Sequence, residues 1–107
     1  MIVLEIGRPI VDDVVAQFSQ QPCAVISYQR PIVEAEYPAI LREAYSAIRE
    51  AARGGNEVLL VLSGPLALAF QLGQLVGLSH FKIRVFQFSG GRYREVPPLT
   101  REVMFGG

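Results

Sequence analysis

The feature that most constrains this chain is an uncharged run of twenty-one residues, Val58-Leu-Leu-Val-Leu-Ser-Gly-Pro-Leu-Ala-Leu-Ala-Phe-Gln-Leu-Gly-Gln-Leu-Val-Gly-Leu78. A stretch of about 20 apolar residues is long enough to cross a bilayer. Here, however, Ser63-Gly64-Pro65 interrupts it, and the amides of Gln71 and Gln74 follow. In lipid both the turn and the amides would lack hydrogen-bond partners. The run therefore reads as a strand buried on both faces (Val58 to Leu62), a tight turn, and a helix whose first turn accepts Pro65 because its missing N–H is not needed there.

On a helical wheel Ala67, Gln71, Gln74 and Leu78 form one narrow stripe, and Leu66, Leu68, Ala69, Phe70, Leu72, Leu75 and Val76 cover the rest. A helix on the outside of a monomer shows water a broad polar face. This one is expected to be covered twice, by its own sheet and by a second subunit docked along Leu66 to Val76. The alternative cover is a loop, and 107 residues leave little chain to provide one. A homodimer or higher oligomer is the favoured expectation.

The rest of the chain repeats the strand–helix alternation. Ile2 to Ile6 is a strand ended by Gly7-Arg8-Pro9, and Val11, Val14, Val15 and Phe18 recur at helical spacing behind Asp12 and Asp13. Cys23 to Tyr28 is a second apolar strand, leaving through Gln29-Arg30-Pro31. A long helix runs from about Pro38 to Arg53, with Leu41, Ala44, Ile48, Ala51 and Ala52 inward, and Gly54-Gly55 closes it in the left-handed conformation. Lys82 to Phe88 is a fourth strand, and Arg92 to Val96 returns beside it as a hairpin after Ser89-Gly90-Gly91. The order β-α-β-α-β-α-β-β predicts an α/β fold over residues 1–107, a single domain with a three-layer, Rossmann-like, mainly parallel sheet and a C-terminal hairpin. The tail carries Val103, Met104 and Phe105, apolar residues suited to docking on a neighbour.

Ten basic and ten acidic residues give a formal net charge of zero. Neutrality argues against a binder of long nucleic acid, whose affinity comes largely from counterion release by a basic face. It leaves room for a small phosphorylated ligand held by a few groups. The one cysteine, Cys23, reads as a reduced core residue of a cytoplasmic protein. Met1 to Ile6 lacks the basic flank and apolar core of a signal peptide.

In α/β folds ligands lie at the carboxyl ends of the strands. The first three strands leave through Gly7-Arg8-Pro9, Gln29-Arg30-Pro31 and Ser63-Gly64-Pro65. Arg8 and Arg30 each have the planar fork that clamps a phosphate. Ser63 and the N–H groups beyond Gly64 and Pro65 make an anion site at a helix start, or else a plain strand-to-helix turn. Tyr28 is a candidate platform for a base, or simply a packed strand residue. His80 falls on the opposite rim and reads as a loop residue. No cofactor or metal motif is present, and the exits offer no histidine, lysine or carboxylate before Glu34, so acid–base catalysis is poorly equipped.

The segment from Gly55 through the Ser-Gly-Pro turn and its leucine-rich helix, then Ile83-Arg-Val-Phe-Gln-Phe and Gly91-Arg-Tyr-Arg-Glu-Val, resembles the C-terminal part of the SAVED domain. That domain is a relative of CARF domains and senses cyclic oligonucleotides in bacterial antiviral defence. Family members are longer and fuse two such units to an effector, whereas this sequence shows one unit. The resemblance therefore implies a small CARF-like, CRISPR-associated protein that binds cyclic oligoadenylate as a dimer and either sequesters or cleaves it. By the same resemblance Ser63, Gly64 and Pro65 match the ligand loop after the third strand, and Gly7 and Arg8 occupy the place of the first. Arg30 has no counterpart in it. Cleavage by such a ring nuclease would be metal-independent, with a ribose 2′-hydroxyl attacking the adjacent phosphate and Arg8, Arg30 or Ser63 assisting. The alternative function is a non-catalytic α/β subunit that docks a partner in a defence complex.

Overall fold

The computed structural model describes residues 1–106. Strands β1 (Ile2–Ile6), β2 (Ala24–Tyr28), β3 (Glu57–Ser63), β4 (Lys82–Ser89) and β5 (Arg92–Glu95) alternate with helices α1 (Val11–Phe18), α2 (Tyr37–Ala51) and α3 (Leu66–Val76), and α4 (Arg101–Phe105) follows β5. The strands form one sheet in the order β2-β1-β3-β4-β5. β1 pairs in parallel with β2 and β3, β3 pairs in parallel with β4, and β5 returns antiparallel along β4. The α/β class read from the sequence holds, with a sheet that is mixed.

β1 lies between two neighbours, which is why all five of its residues are buried. Successive side chains of a strand point to opposite faces, and β1 accordingly feeds two separate cores. Ile2, Leu4 and Ile6 pack with Val58 and Leu60 of β3, Ile40, Ala44 and Ile48 of α2, and Leu68 and Leu72 of α3. Val3 joins Val61, Phe86 and Tyr93 beneath Ile10 and Val14 of the α1 segment, where Phe18 meets Phe86 edge-on with centroids 5.1 Å apart. Each fully buried aliphatic side chain contributes about 1.5–3 kcal/mol, so truncating Ile48, which has no exposure, costs about 2–5 kcal/mol.

Helix ends follow local chemistry. Ser19 adopts a left-handed conformation (φ 53°) and its N–H closes α1 on the Val15 carbonyl at 2.8 Å. Gly54 and Gly55, at φ 78° and 80°, stop the α2 segment as the sequence predicts. Thr100 Oγ1 accepts from the Val103 N–H at 3.1 Å and starts α4, a helix the sequence reading did not anticipate.

Three expectations need correction. Cys23 is exposed, just outside β2, and is not a core residue. The inner face of α2 holds Ala44, Ile48 and Ala52 as expected, with Leu41 and Ala51 half-buried against the core, but it also includes Tyr37 and Ile40, which the sequence did not assign to it. Pro65 is not inside the first turn of α3 but precedes it in an extended conformation (φ −62°, ψ 139°). No helix of the described residues is long and apolar enough to cross a membrane.

Candidate functional site at the carboxyl rim

Because β1 to β4 run parallel, their carboxyl ends, near Ile6, Tyr28, Ser63 and Ser89, share one rim. The chain leaves β1 toward β2 on one side, whereas β3 leads on to β4 on the other. Such a reversal opens a crevice at the carboxyl ends of the two central strands. Gly7 and Ser63-Gly64 lie there.

Gly7 has φ +92°, a conformation that strains other residues, and its N–H donates to the Tyr28 carbonyl at 2.7 Å. The turn swings Arg8 over the N-terminal part of α1. Its guanidinium donates to Asp13 Oδ2 at 3.4 Å, and both side chains are well exposed. An exposed pair of this kind contributes about 0–1 kcal/mol, so an anionic ligand can compete for Arg8. Arg8 lines a cavity of about 570 Å³ together with Gln17, Phe88 and Tyr93.

The start of α1 is held by a residue the sequence reading passed over. Glu5, only 3 % exposed, is the buried charged residue of β1. Its Oε1 accepts from the N–H groups of Ile10 (2.9 Å) and Val11 (3.1 Å), and its Oε2 accepts from Ser27 Oγ at 2.7 Å. A carboxylate here faces the positive end of α1 and satisfies two N–H groups at its start, those of Ile10 and Val11. The start of α1 is thus occupied from within. The signal was a lone charge in an otherwise apolar central strand, which must be paired to be buried.

Arg30 sits apart from Arg8. Its guanidinium grips Glu36 at 2.7 and 3.2 Å, donates to the Pro31 carbonyl at 3.1 Å, and lies 5.6 Å from the centroid of the Tyr28 ring. Arg30 and the Val33 N–H hold the Glu36 carboxyl below the usual carboxylate range. The Tyr28 hydroxyl donates to Glu43 Oε2 at 3.1 Å, which raises the phenol's pKa. The face of Tyr28 that the sequence offers to a base therefore carries a guanidinium that is itself engaged.

At the exit of β3, Pro65 is the cap residue of α3, no side chain caps the helix, and the first bond of its ladder runs from the Ala69 N–H to the Pro65 carbonyl at 3.2 Å. The N–H groups of Leu66, Ala67 and Leu68 are left outside that ladder, as at any helix start. A Cβ on Gly64 would stand 3.1 Å from Cβ and Cγ1 of Ile6. Glycine at this position thus has a packing reason, the close approach of the turn to β1. Ser63, Gly64 and Pro65 line a small cavity of about 130 Å³ walled by Leu4, Leu62 and Val85, with no lining residue in common with the Arg8 cavity.

His80 is exposed beside the start of β4, on the opposite rim, as expected. Among the described residues no three His, Cys, Asp or Glu side chains converge as metal ligands would. The rim offers the weakly held guanidinium of Arg8, that of Arg92 in the same cavity, a hydroxyl, free helix N–H groups and, at the end of β4, the exposed ring of Phe88. Groups of these kinds are able to engage phosphates and the faces of bases.

Residues 1–96 match a family model, the SMODS-associated and fused to various effectors sensor domain. No curated protein matches the chain, and no solved structure does.

Proposed function

The chain belongs to the SAVED family, sensor domains for cyclic oligonucleotides in antiviral defence, and from that premise we propose that it binds cyclic oligoadenylate, cyclic tetra-adenylate in particular, as a homodimer in the cytoplasm. The observation that carries this reading is the family match over residues 1–96. The rim chemistry supports it. On this Rossmann-like unit, Gly7, Arg8, Ser63, Gly64 and Pro65 border the central crevice, while Tyr28 and Arg30 flank it at the sheet edge. Arg8 exchanges its exposed Asp13 contact for a ligand phosphate. Arg30 is the costlier recruit, since its bidentate pair with Glu36 has to open first.

The surface of α3 supports the dimer. Leu68 and Leu72 are its buried residues, while Leu66 is 89 % and Phe70 69 % exposed. Gly73 follows on the same side of the helix, three residues beyond Phe70, and an added Cβ there would meet nothing within 4 Å. Glycine inside a helix costs about 1 kcal/mol relative to alanine, and close approach of a second helix gives that cost a purpose. Sedimentation of wild type at low micromolar concentration should show a dimer, and Phe70→Glu a monomer. A monomeric wild type rules out this assignment of α3.

The consequence of binding is a lower level of free messenger, damping signalling of the type III CRISPR kind. Sequestration is what guanidinium, hydroxyl and backbone N–H groups do directly. Cleavage, if it accompanies binding, proceeds by in-line attack of a ribose 2′-hydroxyl on its neighbouring phosphate, giving a 2′,3′-cyclic phosphate and releasing the 5′-hydroxyl. Its main requirement is orientation, with Arg8 or Ser63 beside the developing charge. Calorimetry with cyclic and linear tetra-adenylate tests the reading: the cyclic form should bind more tightly, and equal affinities would refute it. Chromatography of the products then separates holding from cutting. A second reading, an α/β interaction subunit of a defence complex, draws on the exposed Leu99, Val103 and Phe105 of the C-terminal segment. Failure of every cyclic oligoadenylate to bind would favour it.

A further inference from the structure

The fourth parallel strand reaches the same rim, and its end carries the aromatic ring of Phe88. Glu5 stands opposite Ser27 on β2 and opposite Ser63 on β3. Val61 stands opposite Phe86 on β4, and continuing that register by two residues sets Phe88 level with Ser63. Phe88 is in turn paired with Tyr93 on β5. Side chains two residues apart on a strand share a face, so Phe88 joins Phe86, and Ser63 joins Val61, on the α1 side of the sheet. Ser27, Glu5, Ser63, Phe88 and Tyr93 thus form one row across the α1 side of the rim.

Phe86 and Tyr93 in this group are buried, yet Phe88 is 54 % exposed. Its ring meets the Tyr93 ring edge to face, with centroids 5.3 Å apart. Tyr93 is fixed from the other side: Gln17 Nε2 donates to its carbonyl at 2.6 Å and its N–H donates to Gln17 Oε1 at 2.7 Å. Phe88 therefore rests on a clamped support while remaining open to solvent, in the cavity that also contains Arg8. At about 570 Å³ that cavity falls within the range of about 300–1,000 Å³ usual for small-molecule sites. An exposed aromatic ring beside a guanidinium held only by one exposed carboxylate matches the two ends of a nucleotide, a base with a π-face and a phosphate.

We infer that Phe88 is the base platform of this site, stacking one adenine of the ligand in the cavity between α1 and the β4–β5 hairpin while Arg8 holds the adjoining phosphate. The inference rests on the cyclic oligoadenylate reading and adds a specificity-determining residue to it. It also relieves Tyr28, whose ring face carries Arg30, of the stacking role.

The test uses the full chain and cyclic tetra-adenylate, with calorimetry on wild type, Phe88→Leu and Phe88→Trp, and far-UV circular dichroism melts to verify folding. Leucine keeps apolar contact with Tyr93 but has no π-face, and tryptophan extends it. Phe88→Leu should bind about five- to a hundredfold more weakly, the usual effect of losing one stacked base, and Phe88→Trp should retain wild-type affinity. A ring carrying 2-aminopurine in place of one adenine should be quenched on binding to wild type and much less by Phe88→Leu. If wild type binds and Phe88→Leu binds equally well, the platform assignment is wrong and the wider reading stands. If wild type itself does not bind, the wider reading falls and the platform with it.

Discussion

Replacing Glu5 by alanine tests the electrostatic centre of the rim. The carboxylate accepts three hydrogen bonds, from the N–H groups of Ile10 and Val11 and from Ser27 Oγ, at 2.7 to 3.1 Å. Bonds to a charged group contribute about 1.5–3 kcal/mol each, but burying the charge offsets part of that gain, and the freed Ser27 hydroxyl can turn to water. The dominant loss is the buried Ile10 N–H left without an acceptor, about 1–3 kcal/mol, together with loss of the helix cap, about 0.5–2 kcal/mol. We expect Glu5→Ala to lose about 3–4 kcal/mol from these terms, a large share of the 5–15 kcal/mol typical of a domain. Glu5→Gln keeps an acceptor for both N–H groups and should lose about half as much. Urea unfolding followed by circular dichroism measures both, with an unchanged slope showing that stability alone has moved. Glu5→Ala within about 0.5 kcal/mol of wild type, the range of ordinary surface substitutions, would show that α1 does not depend on this carboxylate.

Gly64→Ala places a methyl group 3.1 Å from Ile6 and should destabilise by about 1–3 kcal/mol through overpacking, read as a lower urea midpoint. Arg8→Ala should weaken binding of cyclic tetra-adenylate about ten- to a hundredfold while changing turnover per bound ligand less. A single-turnover assay with protein in excess and EDTA present checks this, and full binding with lost cleavage would make Arg8 catalytic instead. Glu36, its carboxyl held low by Arg30 and the Val33 N–H, should titrate below an ordinary glutamate in a carbon-13 NMR pH series. Because its folded-state pKa is depressed, the contribution of the clasp is complete above the ordinary glutamate pKa and fades as pH falls through the lowered one. Arg30→Gln should move the midpoint back up.

The strand–turn–helix unit from Val58 to Val76 and the five-residue β1 were legible because dense apolar runs punctuated by turn residues have few ways to be buried. Side-chain placement was less so. Ile40 and Leu41 are adjacent and equally apolar, and only the position of α2 over the sheet decides that Ile40 turns inward. Cys23 continues an apolar run but precedes the edge strand β2, and although its N–H donates to the Met1 carbonyl its side chain stays exposed. At the rim the sequence located the loops correctly as strand exits but could not show their pairings. Arg30 meets Glu36 across a single 3-10 turn at Glu34–Glu36, a local conformation with no strong sequence mark. Phe88 was hidden for a different reason: it reads as one more apolar residue of β4, and its exposure follows only from its place at the strand's end beside a hairpin.

The strand order also bears on how the chain assembles. β1 is complete at residue 6, its first neighbour arrives with residues 24–28, and its second only with residues 57–63. During synthesis at about 5–20 residues per second, the most deeply buried strand of the molecule waits several seconds with one hydrogen-bonding edge bare. An open apolar edge is a template for another chain, and non-local parallel pairings form slowly because loop closure precedes their reward. Stalled or truncated chains lacking β3 should therefore aggregate through β1, while in chains carrying residues through Ser63 the bare edge has passed to β3, where it stays until β4 is complete.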